Sequence, residues 1–228
     1  MSNVVGLLPM AGTGQRLGMP FPKPLAPLIT DDGVMPLYYH VLNHLRTVTD
    51  RVYAVTARNA EPCLQRSLYD ARVIAIERVN EGEICSSFAY GAEYIADTHG
   101  PHTLIAVVLP DSIWWRGASR YSLRDVVAKV RGDGALALFH SGADELDTVE
   151  VDSERVLSVT TKVAQAKGTI LGWGAFVIRA EVLARFTDAE KDGPQLGRLD
   201  MGWEAIGTYH DLGTPERYIR WHDMRSDR

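Results

Sequence analysis

The sequence predicts an α/β protein: a mostly parallel central sheet between two layers of helices, with a small antiparallel addition. Three observations carry this. The first half of the chain alternates short apolar runs with helix-period segments, the β-α-β-α-β-α-β order that gives a parallel sheet covered on both faces. The apolar runs are nearly continuous rather than alternating, as in strands buried on both sides. The second half is richer in hairpin signals, which points to antiparallel strands added at one side. The expected architecture is Rossmann-like, three layers of α/β/α.

The elements follow in order. VVGLL (4–8) is the first strand, and PLYYHVLNHLR (36–46) has helical spacing with Pro36 at the first helical position. RVYAVTA (51–57) is a strand, AEPCLQRSLYD (60–70) a helix and RVIAIER (72–78) a strand. ICSSFAYGAEYIADT (84–98) is a helix with Phe88, Gly91, Ala92 and Ile95 on one stripe. TLIAVVLP (103–110) is the strongest strand of the chain and runs directly into Asp111. A helix near 121–131, a strand at 135–140 and a strand pair at 147–152 and 156–162 around Asp152-Ser153-Glu154 come next. A strand at 170–178, a helix at 180–187, a Gly-rich loop and a last helix from Thr214 complete the chain.

Composition bounds the function. The 228 residues are 46% hydrophobic and 23% charged, enough for one well-cored domain, 1–228. The net charge of -5 argues against a nucleic-acid binder. Cys63 and Cys85 form no CxxC pattern, so a reducing cytoplasm is expected. No signal-peptide pattern opens the chain, and no apolar run reaches the ~18 residues of a membrane span. The sequence allows a homo-oligomer without specifying one.

The loop after the first strand, PMAGTGQRLGMPFPKPLAPL (9–28), is the richest segment. Gly12 and Gly14 fit a dinucleotide GxGxxG only in part, because the third position is Leu17 and three prolines prevent a helix from starting. A P-loop is excluded by the lack of a Gly-Lys-Ser/Thr ending. A plain Gly/Pro-rich surface loop would explain the composition, but structureless loops of ~15 residues are usually functional. The remaining reading is a phosphate cradle: backbone N–H groups freed by glycine, a guanidinium fork at Arg16, and Lys23 as a point charge between Pro22 and Pro24.

This segment resembles the signature of the sugar-1-phosphate nucleotidyltransferases, or nucleoside-diphosphate-sugar pyrophosphorylases, whose pattern is roughly A-G-x-G-x-R-L followed by P-K-P-L-x-P. Cytidylyltransferases of isoprenoid synthesis carry a similar G-x-G-x-R-x-G with P-K. VVLPDSIWW (107–115), SVTTKVAQ (158–165) followed by GWGAFVI (172–178), and YHDLGTPERY (209–218) resemble three further segments of the sugar-phosphate family in the same order. LPDSIWW and the segment 135–152 look most like its glucose-1-phosphate thymidylyltransferase-like branch. The resemblance implies the nucleotide-diphospho-sugar transferase fold, with a nucleotide-binding half (1–115) and an acceptor-binding half (116–228), in its short form without the β-helix that longer relatives append.

It also implies an Mg²⁺-dependent reaction of an NTP with a sugar or sugar-like 1-phosphate, releasing pyrophosphate. Asp111 and Asp211 would hold the metal. Arg16 and Lys23 would bind the nucleotide phosphates, and Lys162 the acceptor phosphate. Ala11, Gly12, Thr13, Gly14, Glu77 and Gly82 would line the nucleotide, and Asp147, Thr161 and Gly174 the acceptor. Each aspartate has a plain rival as a turn or cap residue, and Lys162 as a solvated edge lysine.

The pattern departs from the family at Pro9-Met10, at Asp147-Thr148 where relatives have Tyr-Gly, and at Thr161 where they have a sugar-binding glutamate. The departures at Thr161 and Asp147-Thr148 put glucose 1-phosphate in question. Thymidylyltransferases often have Gln where this chain has Pro24, whereas Glu77 could accept two hydrogen bonds from guanine. The base therefore stays open among dTTP, GTP, UTP and CTP. A cytidylyltransferase for phosphocholine or another small phosphate, and a non-catalytic nucleotide-binding regulator, remain as alternatives. His40 and His44 lack a third metal ligand in the sequence and read as a helix flank. Trp114 and Trp115 suit a core or interface as well as a sugar site, and Ser86 and Ser87 lack any nucleophile motif.

Overall fold

The computed structural model of the chain describes residues 4–12, 18–30, 33–78, 83–115, 122–141, 147–160 and 170–226. In chain order the strands are β1 (Val4–Pro9), β2 (Pro27–Thr30), β3 (Gly33–Pro36), β4 (Val52–Ala57), β5 (Ile74–Arg78), β6 (Leu104–Val108), β7 (Ser112–Trp115), β8 (Gly134–Ser141), β9 (Thr148–Val151), β10 (Val156–Thr160), β11 (Ile170–Arg179), β12 (Met201–Ala205) and β13 (Thr208–Asp211). The helices are α1 (Leu37–Leu45), α2 (Pro62–Asp70), α3 (Ile84–His99), α4 (Leu123–Ala128), α5 (Ala180–Leu183), α6 (Asp192–Leu196) and α7 (Pro215–Ser226).

Among the described residues the main sheet has nine strands, along the path β10-β9-β11-β6-β1-β4-β5, with β8 also on β11 and β12 on β8. β5, β4, β1 and β6 are parallel to one another, in register Gly6 to Val52 and Gly6 to Ala106. β11 runs antiparallel to β6, β8 and β9, and β9 pairs with β10 around the Asp152 turn. In that turn the Asp152 carboxylate accepts the N–H groups of Glu154 at 2.8 Å and Arg155 at 2.7 Å. The fold is mixed α/β, as expected.

The strands of β1 are buried on both faces, and their side chains alternate between two cores. Val5 and Leu7 join Phe88, Ala92 and Ile95 of α3 and Leu183 of α5 on one side. Leu8 joins Tyr38, Val41 and Leu45 of α1, Leu64 and Leu68 of α2 and Val126 of α4 on the other. Two cores on opposite faces of one sheet make the three layers. α3 lies so close that a Cβ at Gly91 would stand 2.7 Å from Leu7 Cδ1 and 2.8 Å from Val55 Cγ2.

A third, smaller core gathers Ala26, Leu28, Leu37, Ile113, Leu212 and Trp221. It lies beneath two short ribbons, β2–β3 and β7–β13, that stand off the main sheet. The sequence reading missed both ribbons. It also read the stretch after 187 as a Gly-rich loop, where the structure has α6, β12 and β13. The helices expected at 121–131 and 180–187 are shorter than predicted. Pro36 ends β3 with extended backbone (φ -60°, ψ 141°) and is the residue before α1 rather than its first helical one. No helix among the described residues is long and apolar enough to cross a membrane.

Candidate active site

In a parallel sheet, ligands bind beyond the carboxyl ends of the strands. β6 ends at Val108, and a tight turn, closed by Ser112 N–H to Leu109 O at 3.1 Å, reverses the chain into β7. β7 pairs antiparallel with β13, with Ser112 opposite Asp211 and Ile113 opposite His210. That register sets Asp111, just before β7, beside Asp211, the last residue of β13. The Leu212 N–H donates to the Asp111 carbonyl at 3.0 Å and fastens the two chain segments. Both carboxylates border Gly213: a Cβ there would lie 2.7 Å from Asp211 Oδ1 and 3.4 Å from Asp111 Oδ2. The two aspartates singled out in the sequence, a hundred residues apart, thus share one site.

Each carboxylate has a cation. Lys23 Nζ reaches Asp111 Oδ2, and Arg217 Nη1 reaches Asp211 Oδ2. Lys23 opens a single 3₁₀ turn, Lys23–Leu25, that Pro22 starts and that Leu25 N–H to Pro22 O at 2.8 Å closes. The fixed φ of the neighbouring prolines pre-sets this turn. Arg217 sits in the first turn of α7. Asp211 Oδ1 accepts the Gly213 N–H at 2.7 Å. Burial, and next the charge of Asp111, hold the Asp211 carboxyl above the ordinary carboxylate range, against the pull of Arg217, the Gly213 N–H and Lys23.

Beneath the pair lies Tyr209. Its ring stacks on Phe139, with centroids 4.1 Å apart and planes 14° apart, and its hydroxyl accepts from Ser112 Oγ at 3.1 Å. Burial first, then the two aspartates, push its phenol well above its ordinary range. Gly174 on β11 leaves room for this ring, because a Cβ there would stand 2.5 Å from Tyr209 Cε2.

The donor set suits a hard divalent cation. The Asp211 carboxylate, which burial and the Asp111 charge disfavour, would be stabilised by a 2+ charge, and oxygen ligands are what Mg²⁺ prefers. Among the described residues no group of three or more His, Cys, Asp or Glu could hold a metal. Further ligands would therefore be water and phosphate oxygens, the usual Mg²⁺ arrangement.

The other candidate residues fall in several places. Ala11 is half-buried and Gly12 exposed, just past β1. Thr13, Gly14, Arg16, Gly82, Thr161 and Lys162 lie outside the described residues. Glu77 is exposed near the carboxyl end of β5, the edge strand, beside Thr56 of β4, and its carbonyl accepts the Tyr90 hydroxyl at 2.9 Å. Three strand spacings separate β5 from β6, roughly 14 Å. Asp147 is grouped elsewhere: Trp173 Nε1 donates to its Oδ2 at 3.3 Å. It also faces Asp192, whose carboxyl is raised by burial and then by the Asp147 charge.

The structure therefore unites Lys23, Asp111 and Asp211, with Gly174 one ring away. It adds Arg217 and Tyr209, which lie inside YHDLGTPERY but to which the motif assigns no role, and Asp192, which carries no motif signal. His40 and His44 stand with Nε2 atoms 3.3 Å apart on α1.

Several solved structures share this architecture. A Bacillus anthracis protein assigned as a glucose-1-phosphate thymidylyltransferase, solved with sucrose, superposes with a TM-score of 0.77 at 16% identity, over 97% of this chain and 94% of its own. The inositol-1-phosphate CTP transferase of T. maritima gives 0.72 at 15% identity, over 95% and 91%. A UTP-bound UGPase of Acinetobacter baumannii gives 0.73 at 13%, over 96% and 92%. No family model matches the sequence, and a comparison with curated proteins finds no match. The chain has the nucleotide-diphospho-sugar transferase fold.

Proposed function

We propose that the chain is a nucleotidyltransferase that joins an NTP and a sugar or sugar-like 1-phosphate to give an NDP-sugar and pyrophosphate. The observation that carries this is the Asp111–Asp211 pair at the carboxyl ends of the sheet, each aspartate with its own cation, in a fold shared with sugar- and inositol-phosphate nucleotidyltransferases.

The reaction needs an acceptor phosphate oxygen to attack the α-phosphorus in line while pyrophosphate leaves. Two anions must meet, so the protein's task is positioning and charge compensation. Asp111 and Asp211 would hold Mg²⁺, which when bound supplies electrostatic stabilisation to the phosphates. Lys23, on its rigid turn, neutralises charge at the α-phosphate. Arg16 receives the developing charge of the leaving pyrophosphate, and Lys162 holds the acceptor phosphate. Gly12 and its neighbours offer backbone N–H groups to the nucleotide, and Glu77 reads the base from the edge strand. No protein nucleophile is required.

Base and acceptor vary over this fold, since one neighbour is a CTP transferase of inositol 1-phosphate and another binds UTP. The Asp147–Asp192 pair beside Trp173 favours an acceptor that offers hydroxyl donors or a cationic group. On that observation a cytidylyltransferase for phosphocholine is the second reading. The test is pyrophosphate release with Mg²⁺ over dTTP, GTP, UTP and CTP, crossed with glucose 1-phosphate, inositol 1-phosphate and phosphocholine. Release with one sugar-like pair supports the proposal, and release with CTP and phosphocholine supports the second reading. Nucleotide binding without release in any pair would leave a non-catalytic regulator and overturn both. A preference for dTTP or UTP over GTP would remove Glu77 as a guanine reader.

A further inference from the structure

Arg217 enters the site from an element whose residues carried no phosphate-binding signal. Its place is set by the first turn of α7, where Tyr218 N–H donates to Thr214 O at 3.0 Å. Its side chain is 33% exposed and gives one donor, Nη1, to Asp211 Oδ2. Asp211 Oδ1 accepts the Gly213 N–H at 2.7 Å, so both oxygens of this carboxylate are engaged. On the other half of the pair Lys23 occupies Asp111 Oδ2. Two carboxylates and two cations leave the described centre of the site balanced in charge. A divalent cation on these carboxylates would compete with Arg217 and Lys23 for the same oxygens. Each cation displaced would lie next to the site at which water and phosphate oxygens would complete the metal's ligands. A guanidinium has five donors in a planar fork that matches phosphate geometry.

We infer that Arg217 is a further phosphate ligand of this site, held on Asp211 until metal and phosphate arrive and then transferred to the phosphate. The inference rests on the nucleotidyltransferase reading and adds to it a residue that alternates between two anions. The two partners give it opposite signs: Arg217 competes with the metal and cooperates with the phosphate. A residue that only braces α7 would act on both in the same direction.

The experiment uses the full chain and two probes that do not depend on the base: Mn²⁺ alone, followed by electron paramagnetic resonance, and pyrophosphate in the presence of Mn²⁺, followed by calorimetry. Arg217→Met keeps the aliphatic stem and removes the charge. It should bind Mn²⁺ about two- to fivefold more tightly, the range expected for losing a competing, partly exposed ion pair. It should bind pyrophosphate about tenfold or more weakly, as for loss of a charge-assisted contact. Arg217→Lys should restore part of the pyrophosphate affinity and part of the competition. If Arg217→Met weakens both probes together, or leaves pyrophosphate affinity unchanged, the inference is overturned. Wild-type protein that binds neither Mn²⁺ nor pyrophosphate would overturn the nucleotidyltransferase reading itself.

Discussion

Gly174→Ala is the sharpest probe of how the carboxylate pair is held. The added methyl would stand 2.5 Å from Tyr209 Cε2, 2.7 Å from Tyr209 Cδ2 and 2.9 Å from Phe139 Cε1. Carbon atoms in contact sit about 3.5–4 Å apart, so the tyrosine ring has to retreat by about 1 Å. The Phe139 stack, the Ser112 hydroxyl and the second core, against which it packs, resist that movement. Overpacking of this kind costs about 1–3 kcal/mol. For a chain of this length each kcal/mol lowers Tm by roughly 2–4 °C, so the variant should melt about 2–12 °C lower.

The displacement also has a direction. Tyr209 is two residues before Asp211 on the same strand, so its shift moves Asp211 relative to Asp111, and a misplacement of about 1 Å can cost about 100-fold in rate. Thermal unfolding and Mn²⁺ affinity, measured together, check both parts. Tyr209→Phe keeps the ring and should leave Mn²⁺ affinity nearly intact. The double variant Gly174→Ala/Tyr209→Val, which makes room for the methyl, should melt higher than the sum of the two single effects predicts. A Gly174→Ala protein with wild-type Tm and Mn²⁺ affinity, altered only in acceptor KM, would refute the packing argument and return Gly174 to the acceptor site.

Asp111→Asn and Asp211→Asn should each lower Mg²⁺-dependent turnover by orders of magnitude, since metal stabilisation of reacting phosphates is worth several kcal/mol. Circular dichroism should be unchanged, and near-normal turnover in either variant removes that residue from the site. Asp188 caps α3 from across the chain: it accepts the N–H groups of Glu83 at 2.9 Å and Ser86 at 2.8 Å, and the Ser86 hydroxyl. Asp188→Ala should cost about 1 kcal/mol. Burial raises the Asp188 carboxyl, but the Ser86 and Glu83 hydrogen bonds and Arg78 outweigh it and leave it below its ordinary value. Its contribution is therefore complete above the unfolded-state pKa and lost as pH falls through the folded one. The stability gap between wild type and Asp188→Ala should close in acid, and a gap that persists there counts against the cap. The Cys85 thiol is pushed up to about 12, by burial first and then by Asp192 and Asp188, whereas Cys63 is exposed. A thiol reagent at pH 8 should label one cysteine of the folded protein quickly, and two fast thiols would contradict this.

The parts of the fold legible in the sequence were those with a local cause. β1, β4 and β6 read as strands because they are apolar on both faces, and α3 because its stripe of Phe88, Gly91, Ala92 and Ile95 repeats at helical spacing. β7, β12 and β13 did not, because SIWW, MGWEA and TYHD are short and mixed, and their stability comes from partners far away in sequence. α6 begins Asp192-Gly193-Pro194, a sequence that propensity assigns to a turn. The site divides in the same way. Lys23, Asp111 and Asp211 stood in motifs with a recognisable neighbourhood. Arg217 and Tyr209 stood inside such a motif, but their roles follow from what they touch: Asp211 for one, Ser112, Phe139 and Gly174 for the other.

The third core adds to the β7–β13 register in keeping Lys23, Asp111, Asp211 and Arg217 in one geometry. Ala26 follows Lys23 at the end of the 3₁₀ turn, Ile113 lies two residues after Asp111, Leu212 is next to Asp211, and Trp221 is one helical turn beyond Arg217. All four apolar residues are buried in the same cluster, with Leu28 and Leu37 of the β2–β3 ribbon and α1 closing it. The main sheet alone brings only Asp111 to its carboxyl edge. The other three charges come from a loop after β1, a ribbon strand and the last described helix, none of which pairs with the strands that end there. Placing their apolar neighbours in one small core adds a common support to the β7–β13 pairing and to the short Asp211–Arg217 segment, so that Lys23 finds Asp111 and Arg217 finds Asp211. The pairs thus rest in part on hydrophobic packing one layer below the site, and the charges at the surface of that packing are free to exchange partners while their backbones stay fixed.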